Sequence, residues 1–240
     1  TPMNLVSCPD YESLSRAACR LVLEALRAQP DLLLGLPTGG TPARLYALLA
    51  EERGRTPDLF ARLRIVKLDE WIGGGRDFPG SCERYLRERV LEPWGVGSDR
   101  YLGFDPDPPD PAAECARIAS RLAEWGPMDL CLLGLGLSGH LGFNEPGSDP
   151  ARGPHVAQLA PETLRHPMAA EARGARLGGI TLGLRDILGA RQVLLLVAGP
   201  GKREVFRRAL RGPIAGDCPA SLLRNHPRAV CLYDAEAVGP

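Results

Sequence analysis

The stretch 134–147 carries the residue types best suited to chemistry: His140 and Glu145, five positions apart in a polar loop rich in glycine. An imidazole titrates near neutral pH and a carboxylate can orient it, so such a pair is suited to moving protons. Asp69 and Glu70 stand side by side in Leu68-Asp69-Glu70-Trp71 and add two candidate bases. Neighbouring residues on a strand point to opposite faces, so only one of them is expected in a shared pocket; a solvated acidic strand end is the bland alternative. Pro37-Thr38-Gly39-Gly40-Thr41-Pro42 offers free backbone N–H groups and two hydroxyls at the start of a helix, which is an anion cradle. The same letters also make an ordinary strand-to-helix turn, with Thr41 as N-cap and Pro42 in the first helical position. Lys202 follows Gly199-Pro200-Gly201 and suits a point-charge phosphate ligand, or a surface lysine in a first helical turn.

The segments that must hold these residues alternate between strand and helix patterns. Apolar runs at 32–36, 64–68, 130–134, 192–198 and 229–233 read as buried strands, most of them ending in glycine or acid. Helical periodicity covers 11–28, 43–50, 81–92, 112–125 and 203–210. Shorter helices are expected at 161–172, at 184–188 behind Gly179-Ile180-Thr181-Leu182-Gly183, and from Pro219. Five prolines between residues 93 and 111 predict a surface loop. The pattern is an α/β sheet, mostly parallel and covered by helices on both faces, in which ligands bind at the carboxyl ends of strands.

Gly134-x-Gly136-x-x-Gly139 is a literal dinucleotide-binding pattern, yet that motif requires a helix to open directly behind it. Gly142, Asn144, Pro146 and Gly147 follow instead, and no helix is expected to grow through them. A dinucleotide site is therefore set aside. The 29 basic and 29 acidic residues balance, which gives no support to a nucleic-acid or membrane-surface partner. No apolar run approaches the roughly 20 residues that span a bilayer. Seven scattered cysteines without a paired motif argue for a reducing cytoplasm and against a disulfide framework or a zinc site. At 240 residues one domain over 1–240 fits better than two.

Four segments together, Gly35 to Pro42, Leu68 to Trp71, Gly134 to Gly147 with its Phe143-Asn144-Glu145-Pro146-Gly147, and Pro219 to Leu223, resemble the glucosamine-6-phosphate deaminase/6-phosphogluconolactonase family. The resemblance runs almost end to end and leans to the glucosamine/galactosamine-6-phosphate deaminase-isomerase branch. It implies a modified Rossmann-like sheet and a reaction needing no cofactor and no metal. A small-molecule sugar phosphate, a 2-amino-2-deoxyhexose 6-phosphate, would be ring-opened, isomerised and deaminated to a ketose 6-phosphate plus ammonia. By position, Asp69 matches the base that moves the proton between C2 and C1. His140 matches the group assisting ring opening, and Glu145 the carboxylate partnering it. Thr38, Gly39, Gly40, Thr41 and Lys202 match phosphate ligands, while Glu70, Ser138, Gly139 and Arg165 are further candidates for contact with substrate. One departure stands out: the family commonly carries an acid where this chain has Ser138, and a hydroxyl cannot supply that charge. Its phosphate-binding arginine has no clean counterpart either, with Arg152, Arg165, Arg173 and Arg176 all nearby. A lactonase, or a sugar-phosphate-sensing module that keeps the cradle but not the acids, are the competing readings. The C4 epimer and the oligomeric state, including a homo-oligomer, are left open.

Overall fold

The computed structural model describes residues 3–172 and 176–239. Its centre is a seven-stranded sheet in the order β1 (Asn4–Cys8), β10 (Ala229–Asp234), β9 (Val193–Val197), β6 (Leu130–Gly134), β2 (Leu33–Leu36), β3 (Arg64–Lys67), β5 (Tyr101–Leu102). Every pairing in it is parallel. A second sheet, antiparallel and three-stranded, joins β4 (Asp69–Ile72), β8 (Gly178–Thr181) and β7 (His155–Ala157).

The alternation of side chains along the buried strands builds two cores, one on each face. Leu132, Leu194 and Leu196 meet α1 (Tyr11–Ala28), α2 (Ala43–Arg55) and the helical segment begun by α3 (Cys82–Leu86). Cys131, Leu133, Val193 and Leu195 face the other way, towards α4 (Pro111–Trp125) and the later helices. Each such leucine, removed from water, stabilises the fold by roughly 2 kcal/mol, so the strand ends that carry the site sit on a rigid platform. Among the described residues, no helix is long and apolar enough to cross a membrane.

The expected α/β sheet with helices on both faces is present, and three local readings change. The edge strand β1 has only Cys8 buried, so its residues lack the apolar-run signal of an inner strand. The 81–92 helix runs on through a π-helical turn, Arg87–Leu91, to Trp94, where Gly95 closes it in a left-handed conformation. Pro93 is tolerated because it falls near the start of that last turn, and Tyr101–Leu102 then adds a short edge strand inside the proline-rich passage. Behind the glycines at 134–139 no helix forms; the next regular element is β7, as the rejection of a dinucleotide site requires.

Candidate active site

Four neighbouring strands of the large sheet, β9, β6, β2 and β3, deliver their carboxyl-terminal connections to one cavity of about 130 Å³. Residues 37–42 enter from β2, Asp69 from the chain leaving β3, His140 from the loop after β6, and Lys202 from the turn after β9. The folded sheet thus gathers residues separated by more than 160 positions in the chain.

The cradle after β2 is held by tyrosines on its outer side. The Tyr85 hydroxyl donates to the Gly39 carbonyl (2.6 Å), and the Tyr11 hydroxyl lies 2.9 Å from both the Gly40 and Thr41 carbonyls. Tyr46 donates to the Pro37 carbonyl at 2.6 Å. With the carbonyls engaged outward and Gly39 at φ +115°, no described acceptor takes the N–H groups of residues 38–41. Thr41 does not cap α2: Pro42 occupies the N-cap position in helical conformation, with no side-chain bond. Thr38, Gly39, Gly40 and Thr41 all line the cavity, as does Lys202, whose ammonium donates to the Leu135 carbonyl (2.6 Å) and whose pKa burial pulls down.

Asp69 stands where the chain crosses between the two sheets. Leu68 accepts from Leu182 and donates to Leu36, tying the seam to both sides, and Asp69 then pairs in register with Thr181. Only 8% exposed, its carboxyl is pushed up to about 7. Burial is the main cause and Glu70 adds to it, against the charges of His140 and Lys67 and a long contact from the Cys82 thiol (3.9 Å).

Glu70 does not touch the cavity, which corrects its candidacy as a substrate ligand. The strand turns it to the opposite face, where it is fully buried. One oxygen accepts from the Trp71 and Cys82 amides, the other from the Glu83 amide and the Lys67 ammonium (2.6 Å). Glu70 thereby anchors the N-terminus of α3, behind Asp69.

The glycines around His140 have definite tasks. A Cβ on Gly136 would lie 2.2 Å from the imidazole, so the ring rests flat on bare backbone there. Gly142, at φ +56°, sits against Thr181 and the Asp69 carboxylate. Asn144 donates to the Leu141 and Leu182 carbonyls and pins the loop to the small sheet.

Behind the imidazole, Nδ1 meets three oxygens: Ser138 Oγ at 2.9 Å, Thr163 Oγ1 at 3.1 Å and Glu145 Oε2 at 3.3 Å. Ser138 donates to Glu145 Oε2 (2.6 Å), Thr163 donates to Oε1 in a short bond, and the Ala160 amide donates to Oε1 at 3.1 Å. Each hydroxyl has one proton, and both go to the carboxylate, so the Nδ1 position must supply its own. Neutral His140 therefore keeps Nε2 unprotonated, as a base towards the cavity. Burial alone would raise Glu145, but the His140 bond and charge and the two hydroxyls outweigh it and hold the carboxyl at about 2.

The structure brings Asp69, His140, Thr38–Thr41 and Lys202 together in the cavity and sets Glu145 directly behind His140. Ser138 and Gly139 do not line it. Ser138 points back to Glu145, and Gly139 packs beside Arg208 and Cys218. Arg165 also misses the cavity, its side chain 74% exposed and beside Glu162 on the surface. Arg152 and Arg176 do not line it either, and Arg173 lies outside the described residues. Thr163 and His166 were not anticipated as site residues. They come from two four-residue helices, α5 (Pro161–Leu164) and α6 (Pro167–Ala170), whose prolines mark helix starts but carry no sign of function. Trp71, two positions on from Asp69 on β4, lines the cavity on the same strand face.

Glycine-rich backbone with free N–H groups and an acid–imidazole pair meet at the carboxyl ends of parallel strands, the place where α/β sheets bind ligands, and comparison with known proteins gives the family. Residues 9–232 match the family model described as glucosamine-6-phosphate isomerases/6-phosphogluconolactonase, and the chain belongs to that family. A putative deaminase, AgaI, of Escherichia coli K12 is 39% identical over 94% of this chain and 89% of its own length. The glucosamine-6-phosphate deaminase of Streptomyces coelicolor is 37% identical over 98% of this chain and 91% of its own. Among solved structures, a monomeric glucosamine-6-phosphate deaminase superposes with a TM-score of 0.91 at 34% identity, covering 98% of both chains.

Proposed function

We propose that the protein is an amino-sugar-6-phosphate deaminase/isomerase, converting glucosamine or galactosamine 6-phosphate to a ketose 6-phosphate and ammonia. The observation that carries this reading is one cavity holding a carboxyl poised near 7, an imidazole with a free Nε2 and an anion cradle. The relatives named above support it, since two of them are named as glucosamine-6-phosphate deaminases.

The phosphate seats on the N–H groups of residues 38–41, the Thr38 and Thr41 hydroxyls and Lys202. Being remote from the reacting carbons, it orients the sugar and supplies binding energy for the chemistry. His140, its imidazolium stabilised by Glu145, shuttles the ring-oxygen and O1 protons and opens the ring. Asp69 takes the C2 proton of the open-chain aldehyde and returns it to C1, leaving a hydroxymethyl group at C1 and an imine at C2. Water adds to that imine and ammonia leaves, so water and amino sugar phosphate balance ketose phosphate and ammonia. A base with a value near 7 is well matched to work at neutral pH.

Ser138 and Thr163 take over the alignment of His140 and Glu145 without adding charge. The reading also treats residues 1–240 as one domain, because both sheets contribute to the cavity, and places it in the cytoplasm, where seven buried free cysteines are suited to reducing conditions. A sensor would need the cradle and not the acids; Asp69 and His140 both face the cavity here. The test is ammonia release from both epimers side by side with no metal added. Turnover of either supports the reading, and binding without turnover of both overturns it.

A further inference from the structure

A phosphate monoester is a dianion near neutral pH, and among the described residues the cavity presents one lysine or arginine to it, Lys202. The remaining ionisable groups lining it are Asp69 from β4, Glu162 from α5, His140 from the loop after β6 and His166 at the start of α6. His140 is committed to Glu145, and both acids repel an anion. His166 is left.

Its geometry is fixed from two sides. The Met168 amide donates to His166 Nδ1 at 3.2 Å, so this ring is the N-cap of α6. The imidazole also lies near-parallel to Trp71, with 6.4 Å between ring centres and 29° between planes. Because Nδ1 accepts, the ring proton of neutral His166 must reside on Nε2, as a donor on a ring that borders the cavity. Arg165, its sequence neighbour, turns to solvent and leaves this part of the wall to the imidazole.

We propose that His166 is the second cationic ligand of the substrate's phosphate: its Nε2–H donates to a phosphate oxygen, and bound dianion keeps the ring doubly protonated while Nδ1 gives up the α6 cap. Burial lowers the His166 pKa and the neighbouring Lys202 ammonium adds to the effect, both favouring the neutral ring. An arriving dianion reverses that balance by placing two negative charges against Lys202 and the ring. Protonation turns Nδ1 from acceptor into donor, which frees the Met168 amide and loosens the start of α6. Phosphate binding would thereby be linked to proton uptake and to a local change in the cavity wall.

This inference deepens the sugar-phosphate reading, so its test is independent of turnover. The probe is glucitol 6-phosphate, an open-chain phosphate that cannot isomerise, with glucitol as the phosphate-free control. The protein has four histidines, and their imidazole nitrogens can be followed one by one by NMR in ¹⁵N-labelled protein. The expected result is a His166 titration midpoint raised by at least about one unit on saturation with glucitol 6-phosphate and unmoved by glucitol. A His166 midpoint that glucitol 6-phosphate leaves in place overturns the proposal. His166→Gln retains a side-chain donor but cannot gain a proton, and should bind the probe about tenfold more weakly at pH values below the free ring's midpoint, the gap closing as pH rises past the midpoint of the bound state, with the ring's proton uptake on binding abolished. Equal affinity and equal uptake in His166→Gln also overturn it. A raised His166 midpoint without ammonia release would support His166 as ligand while overturning the deaminase reading; turnover with an unmoved midpoint does the reverse.

Discussion

Asp69 and Glu145 are both carboxylates less than a tenth exposed, and burial pushes both upward, yet they end far apart, near 7 and near 2. The difference lies in what reaches their oxygens. Glu145 receives two hydroxyls, a backbone amide and an imidazole; Asp69 receives one weak thiol donor at 3.9 Å and has Glu70 as its neighbour. A carboxylate supplied with donors stays a fixed charge, suited to orienting an imidazole, and one starved of donors can take and return a proton near neutral pH. The two pKa values thus follow from hydrogen-bond supply, with burial common to both, and the roles proposed above rest on that difference.

The largest effect is expected from removing the starved carboxylate. Asp69→Asn should lower kcat about a thousandfold while leaving the affinity for a non-reacting hexose 6-phosphate within about twofold, measured by ammonia release and by calorimetry. In the unaltered protein, kcat/KM should climb as pH rises through about 7, where Asp69 ionises. The stability effect has the opposite sign. A folded-state value above the ordinary 3.8 means that the native state holds the proton longer, so stability is lost as pH rises from about 4 to about 7. Asp69→Asn should therefore be the more stable protein at pH 8, by about 2–4 kcal/mol, and lose that advantage near pH 4. Equal denaturation midpoints at both pH values would show that Asp69 is better supplied with donors than its contacts indicate.

Glu145 tests the other half of the contrast. Its value lies below the ordinary 4.5, so its contribution to stability is present above that pH and is lost as pH falls towards 2. Glu145→Gln should cost about 3 kcal/mol at neutral pH, and the gap to the unaltered protein should close on acidification below about 4. The same change should lower kcat about a hundredfold, because the imidazolium loses the one carboxylate bonded to it among the described residues. A Glu145→Gln penalty that does not change with pH would show that the donors around Glu145 do not hold its pKa down.

The sequence makes the platform legible because an inner parallel strand is a nearly continuous apolar run and its carboxyl end is where glycine and acid appear. That logic finds β2, β6 and β9, the cradle, the His140 loop and Lys202. Strand alternation also predicts that one of Asp69 and Glu70 leaves the pocket, and the structure shows which. The choice depends on Lys67 and the α3 amides, partners that no local pattern announces. The small antiparallel sheet is not legible, since β7 (His155–Ala157) and β8 (Gly178–Thr181) carry no continuous apolar run: one opens on a histidine and the other on two glycines. Thr163 escapes for a related reason: its bonds to His140 and Glu145 span 23 and 18 positions and start from a four-residue helix. Arg165 is the converse case, a residue with suitable chemistry whose helix turns it outward.

Two smaller substitutions sharpen the account of donor supply. Ser138→Ala and Thr163→Val each remove one donor to Glu145 and one acceptor beside Nδ1, and each should lower kcat about tenfold. The two hydroxyls share the same pair of partners, so the double variant should fall short of or exceed the product of the single effects by a measurable factor; strict additivity would mean that they act independently. Arg165→Ala should change kcat and KM by less than about twofold, because its partners among the described residues are the Pro161 carbonyl and the Glu162 side chain at the surface. A tenfold rise in KM for Arg165→Ala would mean that this arginine swings inward when phosphate binds, and the cradle would then owe its second positive charge to a moving surface residue, with His166 relieved of that part.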